Sequence, residues 1–189
     1  MTIYYIADTH LQDQLVFSKC SKPFVDLSEY KNEIIKRWNS KVFPEDVVYV
    51  LGDIVEESCA EAIEVFRSLM GKKHLIVGNH DLKLLPIIKD SGIFKSIEYI
   101  QLIEDNGRKV CICHYPLMDW MEFNYGSYHV YGHIHNKTKL NDFAYAQIKN
   151  YYADKLAFNA SVDVTGYEPV TLDEMIALKQ KNIDLPTIN

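Results

Sequence analysis

The chain has 189 residues, of which 48% are hydrophobic and 24% charged, a balance typical of a globular protein with one domain over residues 1–189. The net charge is −6 and basic residues do not cluster, which argues against a nucleic-acid-binding platform. No apolar run approaches the ~20 residues of a membrane span, so no membrane partner is expected. The N-terminus has no basic flank and is typical of a strand, not of a signal peptide, which favours a cytoplasmic location.

Strand-like and helix-like segments alternate in the first half of the chain. The pattern predicts a buried strand at residues 3–7, an irregular segment at 11–27, a helix at 28–41 and a strand at 46–51. A helix beginning at Ser58, a strand at 73–77 and a short helix at 82–90 follow. This order predicts parallel strands with helices packed outside them.

The second half is richer in strands. The pattern predicts strands at 97–103 and 109–113 around a turn at 105–107, further strands at 128–131 and 156–162, and a last helix that Thr171 and Glu174 cap. The hairpin-like order predicts antiparallel pairing. The two halves together predict an α/β fold, a four-layer α/β/β/α sandwich of two stacked mixed sheets flanked by helices.

Five short polar motifs each follow directly after a strand-like run. Ligand sites of α/β sheets gather at the carboxyl ends of strands, so the sequence predicts that the five motifs converge on one site. In chain order they are Asp8-x-His10, Gly52-Asp53, Gly78-Asn79-His80-Asp81, His114 and Gly132-His133-x-His135.

Histidine is concentrated in these motifs, which contain five of the seven histidines of the chain. One histidine at a strand end is usually structural, but five that alternate with aspartate and asparagine favour a metal site. His74 and His129 lie outside the motifs. His74 is expected to pack within the fold, and His129 either to pack there or to support a metal ligand.

The motifs offer carboxylate, imidazole and amide donors without a thiolate. This set suits Mn, Fe, Zn or Ni, with Mn preferred. We expect two divalent metal ions, because a carboxylate can bridge two cations and a metal pair can stabilise the attacking and leaving oxygens of a phosphoryl centre. Metal binding lowers the pKa of water, so a metal-bridging hydroxide would be the nucleophile.

In this order the motifs resemble those of the calcineurin-like metallophosphoesterase superfamily, and they extend over residues 8–135. A closer resemblance, to small single-domain members of bacterial or phage type, rests on three further segments. These are Arg37-Trp38-Asn39, His114-Tyr115-Pro116-Leu117 with Trp120, and Asn159-Ala160-Ser161-Val162-Asp163-Val164.

The resemblance implies a first metal site, a second metal site and a carboxylate that bridges them. His80 would stand beside the phosphate as general acid or electrostatic stabiliser, with Asp81 orienting its imidazole. The implied ligands are Asp8, His10 and His135 for the first metal, Asn79, His114 and His133 for the second, and Asp53 for the bridge.

The expected function is metal-dependent hydrolysis of a small phosphorylated substrate. No arginine adjoins any motif, so no neighbouring residue would clamp the dianion of a phosphomonoester, and a phosphodiester is slightly preferred. Two alternatives stay open. One is a catalytically silent binding or scaffold module of the same fold, and the other is a nuclease, which the acidic net charge disfavours.

Residues 11–27 are expected to form the loop that selects the substrate, because they join the first motif to the first long helix. Asn159 and Asp163 are expected to cap loops, and Trp120 either packs in the core or walls the site. The four cysteines lack paired spacing and are expected to be reduced thiols. The candidate selecting residues are Gln12, Lys19, Lys22 and Phe24.

Overall fold

The computed structural model of the chain describes residues 1–20, 22–55, 62–136 and 142–180. The strands of these ranges are β1 (Ile3–Ile6), β2 (Val47–Val50), β3 (Lys72–Ile76), β4 (Ile97–Glu98), β5 (Ile100–Asp105), β6 (Arg108–Cys113), β7 (Tyr128–Tyr131) and β8 (Ala157–Asn159). The α-helices are α1 (Gln14–Lys19), α2 (Leu27–Lys41), α3 (Val65–Ser68), α4 (Leu85–Ser91), α5 (Asp142–Tyr151), α6 (Val162–Thr165) and α7 (Leu172–Gln180). None of these helices is long and apolar enough to cross a lipid bilayer.

The strands form two four-stranded sheets. The first sheet has the order β1-β2-β3-β4 and is parallel throughout. The second has the order β5-β6-β7-β8, with an antiparallel first pair and parallel pairs after it. Because parallel neighbours run in the same direction, β1, β2 and β3 end at one edge of the first sheet, and β6, β7 and β8 end at one edge of the second.

Apolar side chains form a layer between the sheets and a layer on the outer face of each. Successive residues of a strand point to opposite faces, so each strand contributes to two layers. The predicted α/β/β/α sandwich is therefore confirmed, except that only the second sheet is mixed and the first is parallel. Members of the layers are Tyr5 and Ile112 between the sheets, Val48 and Trp38 outside the first sheet, and Tyr131 and Tyr152 outside the second.

The two sheets are joined where β1 ends beside β8. Ala7 N donates to the carbonyl of Ala160 at 2.8 Å, and Val162 N donates to the carbonyl of Ala7 at 3.0 Å. These bonds bring the carboxyl edges of the two sheets together. Residues that follow strands of different sheets can therefore meet in one place.

Three predicted helices are confirmed. The short helix predicted at 82–90 is a 3-10 turn at Leu82–Leu84 that continues into α4. The helix predicted at 28–41 is α2, whose buried residues recur every four positions and pack under the first sheet. The capping box of α7 is present, because Glu174 N donates to Thr171 Oγ1 at 3.2 Å and Thr171 N donates to Glu174 Oε2 at 2.7 Å. The helix start predicted at Ser58 lies outside the described residues.

The prediction of one strand at 97–103 is wrong, because this segment contains two strands that belong to different sheets. β4 pairs with β3 and β5 pairs with β6, and the chain changes sheet at the exposed Tyr99. Both halves have the same local pattern, so the sequence carries no sign of the change. The prediction of antiparallel pairing holds only for β5 and β6, because β7 and β8 add in parallel.

The segment at 11–27 contains the short helix α1, so the prediction that it is irregular is wrong. Asp13 caps the helix by accepting a backbone N–H at 2.8 Å. With six residues the helix has no periodic apolar face that sequence analysis could detect. Lys22 is buried and the Phe24 ring packs 5.4 Å from that of Tyr30. The role of the segment in substrate selection stays a prediction.

His129 packs on the outer face of the second sheet, as expected. Its Nδ1 donates to the carbonyl of Cys111 at 3.0 Å, and its Nε2 accepts the N–H of Leu117 at 3.2 Å, so the ring is neutral. Burial lowers the pKa of His129 to about 4. The buried Trp120 ring stacks on it with 5.2 Å between centroids, which places this tryptophan in the core. His74 likewise packs against an aromatic ring of β2.

We expect His129 to weaken the fold in acid. The unfolded chain, with the ordinary histidine pKa of 6.5, takes up a proton at a higher pH than the folded protein, where His129 titrates at about 4. The stabilising contribution is therefore complete above ~6.5 and is lost as the pH falls toward ~4, by about 3 kcal/mol in all. Urea unfolding of the wild type and His129→Gln across this range measures the effect. The variant should lack this part of the pH dependence. If the free energy of unfolding changed with pH in the same way in both proteins, the lowered pKa of His129 would be contradicted.

Candidate metal centre

The five motifs lie at the carboxyl ends of five strands from both sheets. The junction of β1 with the residues after β8 brings the two groups of motifs together. In chain order, Asp8 and His10 follow β1, Asp53 follows β2, Asn79 and His80 follow β3, His114 follows β6, and His133 and His135 follow β7.

The implied ligands fall into two of the groups of side chains that could hold a metal ion. In each cluster the ligand atoms lie within 4.8 Å of one another. Asn79 Oδ1 lies 3.1 Å from His114 Nε2 and so adjoins the second cluster. The grouping agrees with the two ligand sets that the resemblance implies, although metal binding itself stays a prediction. The first cluster consists of Asp8, His10 and His135, and the second of Asp53, His114 and His133.

Asp53 lies between the clusters. Its Oδ2 is 3.4 Å from His114 Nε2 and 3.7 Å from His10 Nε2. Two ligands of one cation, each about 2.1 Å from it, are roughly 3–3.5 Å apart. Oδ1 accepts the backbone N–H of His80 at 2.9 Å, which fixes the carboxylate and leaves Oδ2 facing both clusters. Asp53 would therefore be able to contribute to both clusters.

The backbone at the site is in an uncommon conformation. Of the nine non-glycine residues with positive φ in the described ranges, five are predicted metal ligands. This left-handed region is disfavoured for residues with a side chain, and it is enriched at functional sites, where the surrounding structure maintains the strain. The five residues are Asp8, His10, Asp53, His133 and His135, with φ from 41° to 70°.

Two motif glycines allow the ligand loops to approach closely. Gly52 has a φ of 82°, and a Cβ there would lie 2.5 Å from Gly78 N and 2.7 Å from His114 Nδ1. A Cβ at Gly132 would lie 2.7 Å from Asp8 Oδ2. Any larger residue at either position would displace a predicted ligand or the loop that carries one.

A backbone carbonyl fixes the orientation of the His114 ring. Its Nδ1 donates to the carbonyl of Leu51 at 2.7 Å, which leaves Nε2 directed at Asp53 and Asn79. Metal-binding histidines commonly donate their other N–H to a carbonyl in this way. Burial disfavours the charged ring, but the hydrogen bond to Asp53 and the charges of Asp8 and Asp53 outweigh it and raise the pKa of His114 to about 9.

Two donors hold the carboxylate of Asp8. The N–H of His133 donates to its two oxygens at 2.9 and 3.1 Å, and Ser161 Oγ donates to Oδ2 at 2.6 Å. Ser161 is fully buried and follows β8, so this contact spans the junction of the sheets. Ser161 lies in the segment at 159–164 that carries the closer family resemblance, but the resemblance implies no role for it.

Asp163 and Asn159 hold His135 rather than only capping loops. Asp163 Oδ2 lies 3.4 Å from His135 Nδ1, and it accepts the N–H of Asn136 at 3.1 Å. Asn159 Nδ2 donates to the carbonyl of His135 at 2.9 Å. The strand predicted at 156–162 ends early, and the start of α6 carries Asp163 to the histidine. The loop-cap prediction is therefore incomplete.

Asp13 belongs to the site, although sequence analysis did not select it. Its Oδ2 lies 3.4 Å from His10 Nδ1, and its carboxylate is within 4.8 Å of ring nitrogens of both His10 and His80. The exposed His80 ring stands edge-on to His10, with 4.9 Å between centroids. Asp13 is thus a carboxylate that faces His80. Its only sequence signal was its place three residues after His10.

Asp81 has a different role from the predicted one. It is fully buried, and its Oδ2 accepts the N–H groups of Asp53 at 2.9 Å and Gly78 at 2.8 Å. Its Oδ1 accepts the N–H of Ile54 at 3.0 Å. These contacts correct the prediction that Asp81 orients the imidazole of His80, because both oxygens are held by backbone amides. The carboxylate instead ties together the loops after β2 and β3.

The residues fit a two-metal centre. Nε2 of His10 is buried without a hydrogen-bond partner, and Nδ1 of His10 and Nδ1 of His135 each have only a carboxylate oxygen at 3.4 Å, without a hydrogen bond. Buried polar atoms are rarely unpaired, and imidazole beside carboxylate is an ordinary donor set for divalent cations. The Cys20 thiol lies within 4.8 Å of His135 and Asp163, but burial raises its pKa to about 11, so it is protonated at neutral pH.

The protein has two stacked sheets, and two clusters of Asp, Asn and His lie where the carboxyl ends of the sheets meet. This fold and this site are those of a candidate dinuclear metallohydrolase. A sequence model of the calcineurin-like phosphoesterase family matches residues 1–185. The chain belongs to the calcineurin-like phosphoesterase family, and membership implies metal-dependent phosphoester hydrolysis.

Individual relatives support the family and the fold. Uncharacterized protein MJ1445 of Methanocaldococcus jannaschii is 31% identical over 189 residues, which cover 99% of this chain and 96% of that protein. The crystal structure of AQ665 from Aquifex aeolicus, a protein of unknown function, has a TM-score of 0.70 at 24% identity and covers 93% of this chain and 98% of that one. Phosphopantetheinyl hydrolase (PptH) of Mycobacterium tuberculosis, at a TM-score of 0.35 and 15% identity over 98% of this chain and 64% of that one, is too distant in structure to compare.

We expect Asp81→Asn to destabilise the protein although the side chain keeps its size. A carboxamide has one acceptor oxygen, so at least one of three buried N–H groups loses its partner and faces another donor, at a cost of about 1–3 kcal/mol. Chemical denaturation measures the change. Asp90→Asn, an exposed acid of α4, is the matched control and should shift stability by less than about 0.5 kcal/mol. If the two variants had the same free energy of unfolding, the hydrogen bonds of Asp81 would not have the stabilising role assigned to them.

Proposed function

We propose that the protein hydrolyses a phosphodiester at a centre of two divalent cations, with Mn²⁺ as the first candidate. The placement of two ligand clusters on either side of Asp53 carries this proposal. When bound, the cations would supply Lewis acidity toward the phosphate oxygens and activate a water molecule. The first would be held by Asp8, His10 and His135, the second by Asn79, His114 and His133, and Asp53 would be shared.

His80 is proposed as the proton donor to the leaving group. Attack of water on phosphorus breaks the bond to one ester oxygen and yields a phosphomonoester and an alcohol. The leaving oxygen receives a proton from the imidazole of His80, a transfer that typically contributes about 10²–10⁴ in rate. The ring is exposed beside the clusters, and the carboxylate of Asp13 lies near it.

The arginines support a diester as the substrate. A monoester dianion is well bound by the forked guanidinium group, whereas a diester carries one negative charge. The three arginines of the chain are each paired with an acidic residue, and none of them adjoins a motif. The pairs are Arg37 with Glu33, Arg67 with Glu64 and Arg108 with Asp173.

The presence of every implied ligand together with His80 disfavours a catalytically silent module. The net charge of −6 disfavours a nuclease, because a nucleic acid would be repelled beyond the site itself. We therefore propose a small diester rather than a polynucleotide.

Turnover of bis-p-nitrophenyl phosphate and p-nitrophenyl phosphate tests the substrate class. With added Mn²⁺ we expect kcat/KM to be roughly tenfold or more higher for the diester. EDTA should abolish turnover and Mn²⁺ should restore it. A clear preference for the monoester would contradict the diester assignment, and bound metal without turnover of either compound would contradict the proposed reaction.

Two substitutions separate metal binding from proton transfer. Asp53→Ala should lower the bound metal and abolish turnover, because the shared ligand is lost. His80→Ala should keep both metals and lose about 10²–10⁴ in kcat. Elemental analysis and steady-state kinetics measure the two effects, with His74→Ala as a histidine control outside the site. If His80→Ala also lost metal, His80 would contribute to metal binding, and its assignment as a proton donor only would be wrong.

A further inference from the structure

We propose that Tyr115 is a binding platform for a planar aromatic ring of the substrate, so that the preferred diesters carry an aryl or nucleobase-bearing ester group. This inference rests on the proposed function and specifies its substrate. A diester has one ester group that leaves and one that stays on phosphorus. A selective diesterase therefore needs a surface for the group that stays.

Tyr115 stands beside the second ligand cluster. Its ring centroid is 4.6 Å from that of His133 and 5.0 Å from that of His114, with interplanar angles of 61° and 78°. The tilted packing leaves 42% of the residue exposed at the site. An aromatic group attached to a phosphate at the clusters would lie within reach of this ring, and such rings gain by offset or edge-on contact.

The loop that carries Tyr115 is held from inside the fold. Leu117 N donates to His129 Nε2 at 3.2 Å, and the hydroxyl of Tyr152 donates to the carbonyl of Leu117 at 2.6 Å. Both contacts bind the loop to the outer layer of the second sheet. The tyrosine is thus positioned before a ligand arrives, and a preorganised surface binds with less loss of conformational entropy.

Further apolar surface is exposed on the motif loops. Met118 is 72% exposed in the loop that begins at His114, and Leu82 is exposed two residues after His80. A single exposed apolar residue is ordinary, but these lie with Tyr115 in loops that carry implied site residues. A thioether also makes favourable contact with aromatic rings. Exposed apolar side chains on the loops that carry implied site residues favour an aromatic ester over a simple sugar phosphate as the ligand.

Binding of two matched phosphonates to the Mn²⁺-loaded protein tests the proposal without turnover. Phenylphosphonate and methylphosphonate share the charged group and differ only in the aromatic ring. By calorimetry we expect the wild type to bind the phenyl compound roughly tenfold more tightly. Tyr115→Ala should remove this advantage and Tyr115→Phe should keep it. Tyr125→Ala, an exposed tyrosine at the amino end of β7, is the matched control and should keep it as well.

A second pair, adenosine 5′-monophosphate and ribose 5-phosphate, separates a nucleobase from a simple aryl group. An aromatic advantage in either pair that is lost in Tyr115→Ala and kept in Tyr115→Phe supports the platform. Absence of any advantage in the wild type, its survival in Tyr115→Ala, or equal weakening of both members of a pair overturns it. These experiments measure binding and not turnover. Failure to hydrolyse bis-p-nitrophenyl phosphate would therefore contradict the proposed function, but it would not test whether Tyr115 binds an aromatic ring.

Discussion

The buried carboxylate of Asp81 is the contact on which the site depends. By accepting the N–H groups of Asp53, Ile54 and Gly78, it ties the loop after β2 to the loop after β3. Asp53 then accepts the N–H of His80, so the carboxylate that we propose as the shared ligand and the proposed proton donor are placed by one chain of hydrogen bonds. Three amides at strand ends would otherwise be buried without partners, which is costly.

The two clusters differ in what supports their histidines. In the first, carboxylates stand behind the rings, Asp13 behind His10 and Asp163 behind His135. In the second, His114 is held by a neutral backbone carbonyl. The first cluster is thus the more anionic of the two, and the exposed surface of Tyr115 adjoins the second.

Local patterns accounted for the general outline of the fold and the site. Strand-like runs that end in Asp, Asn or His place ligand types at strand ends, whatever the detailed packing, so the five motifs could be grouped before the structure was known. Helices with a periodic apolar face or a capping box could likewise be predicted from the sequence. The change of sheet at Tyr99 and the short helix after Asp13 were not, because neither alters the local pattern of residues.

The sequence by itself determined the layered α/β architecture and the family, because both depend on residue types at short spacing. Only the tertiary structure decided which groups support those residues. Ser161 binds Asp8 across 153 positions of the chain, and Asp81 turns to backbone amides rather than to its neighbour His80. Such contacts depend on how the two sheets meet and on which buried donors need a partner. Neither of these is encoded in the spacing of residues along the chain.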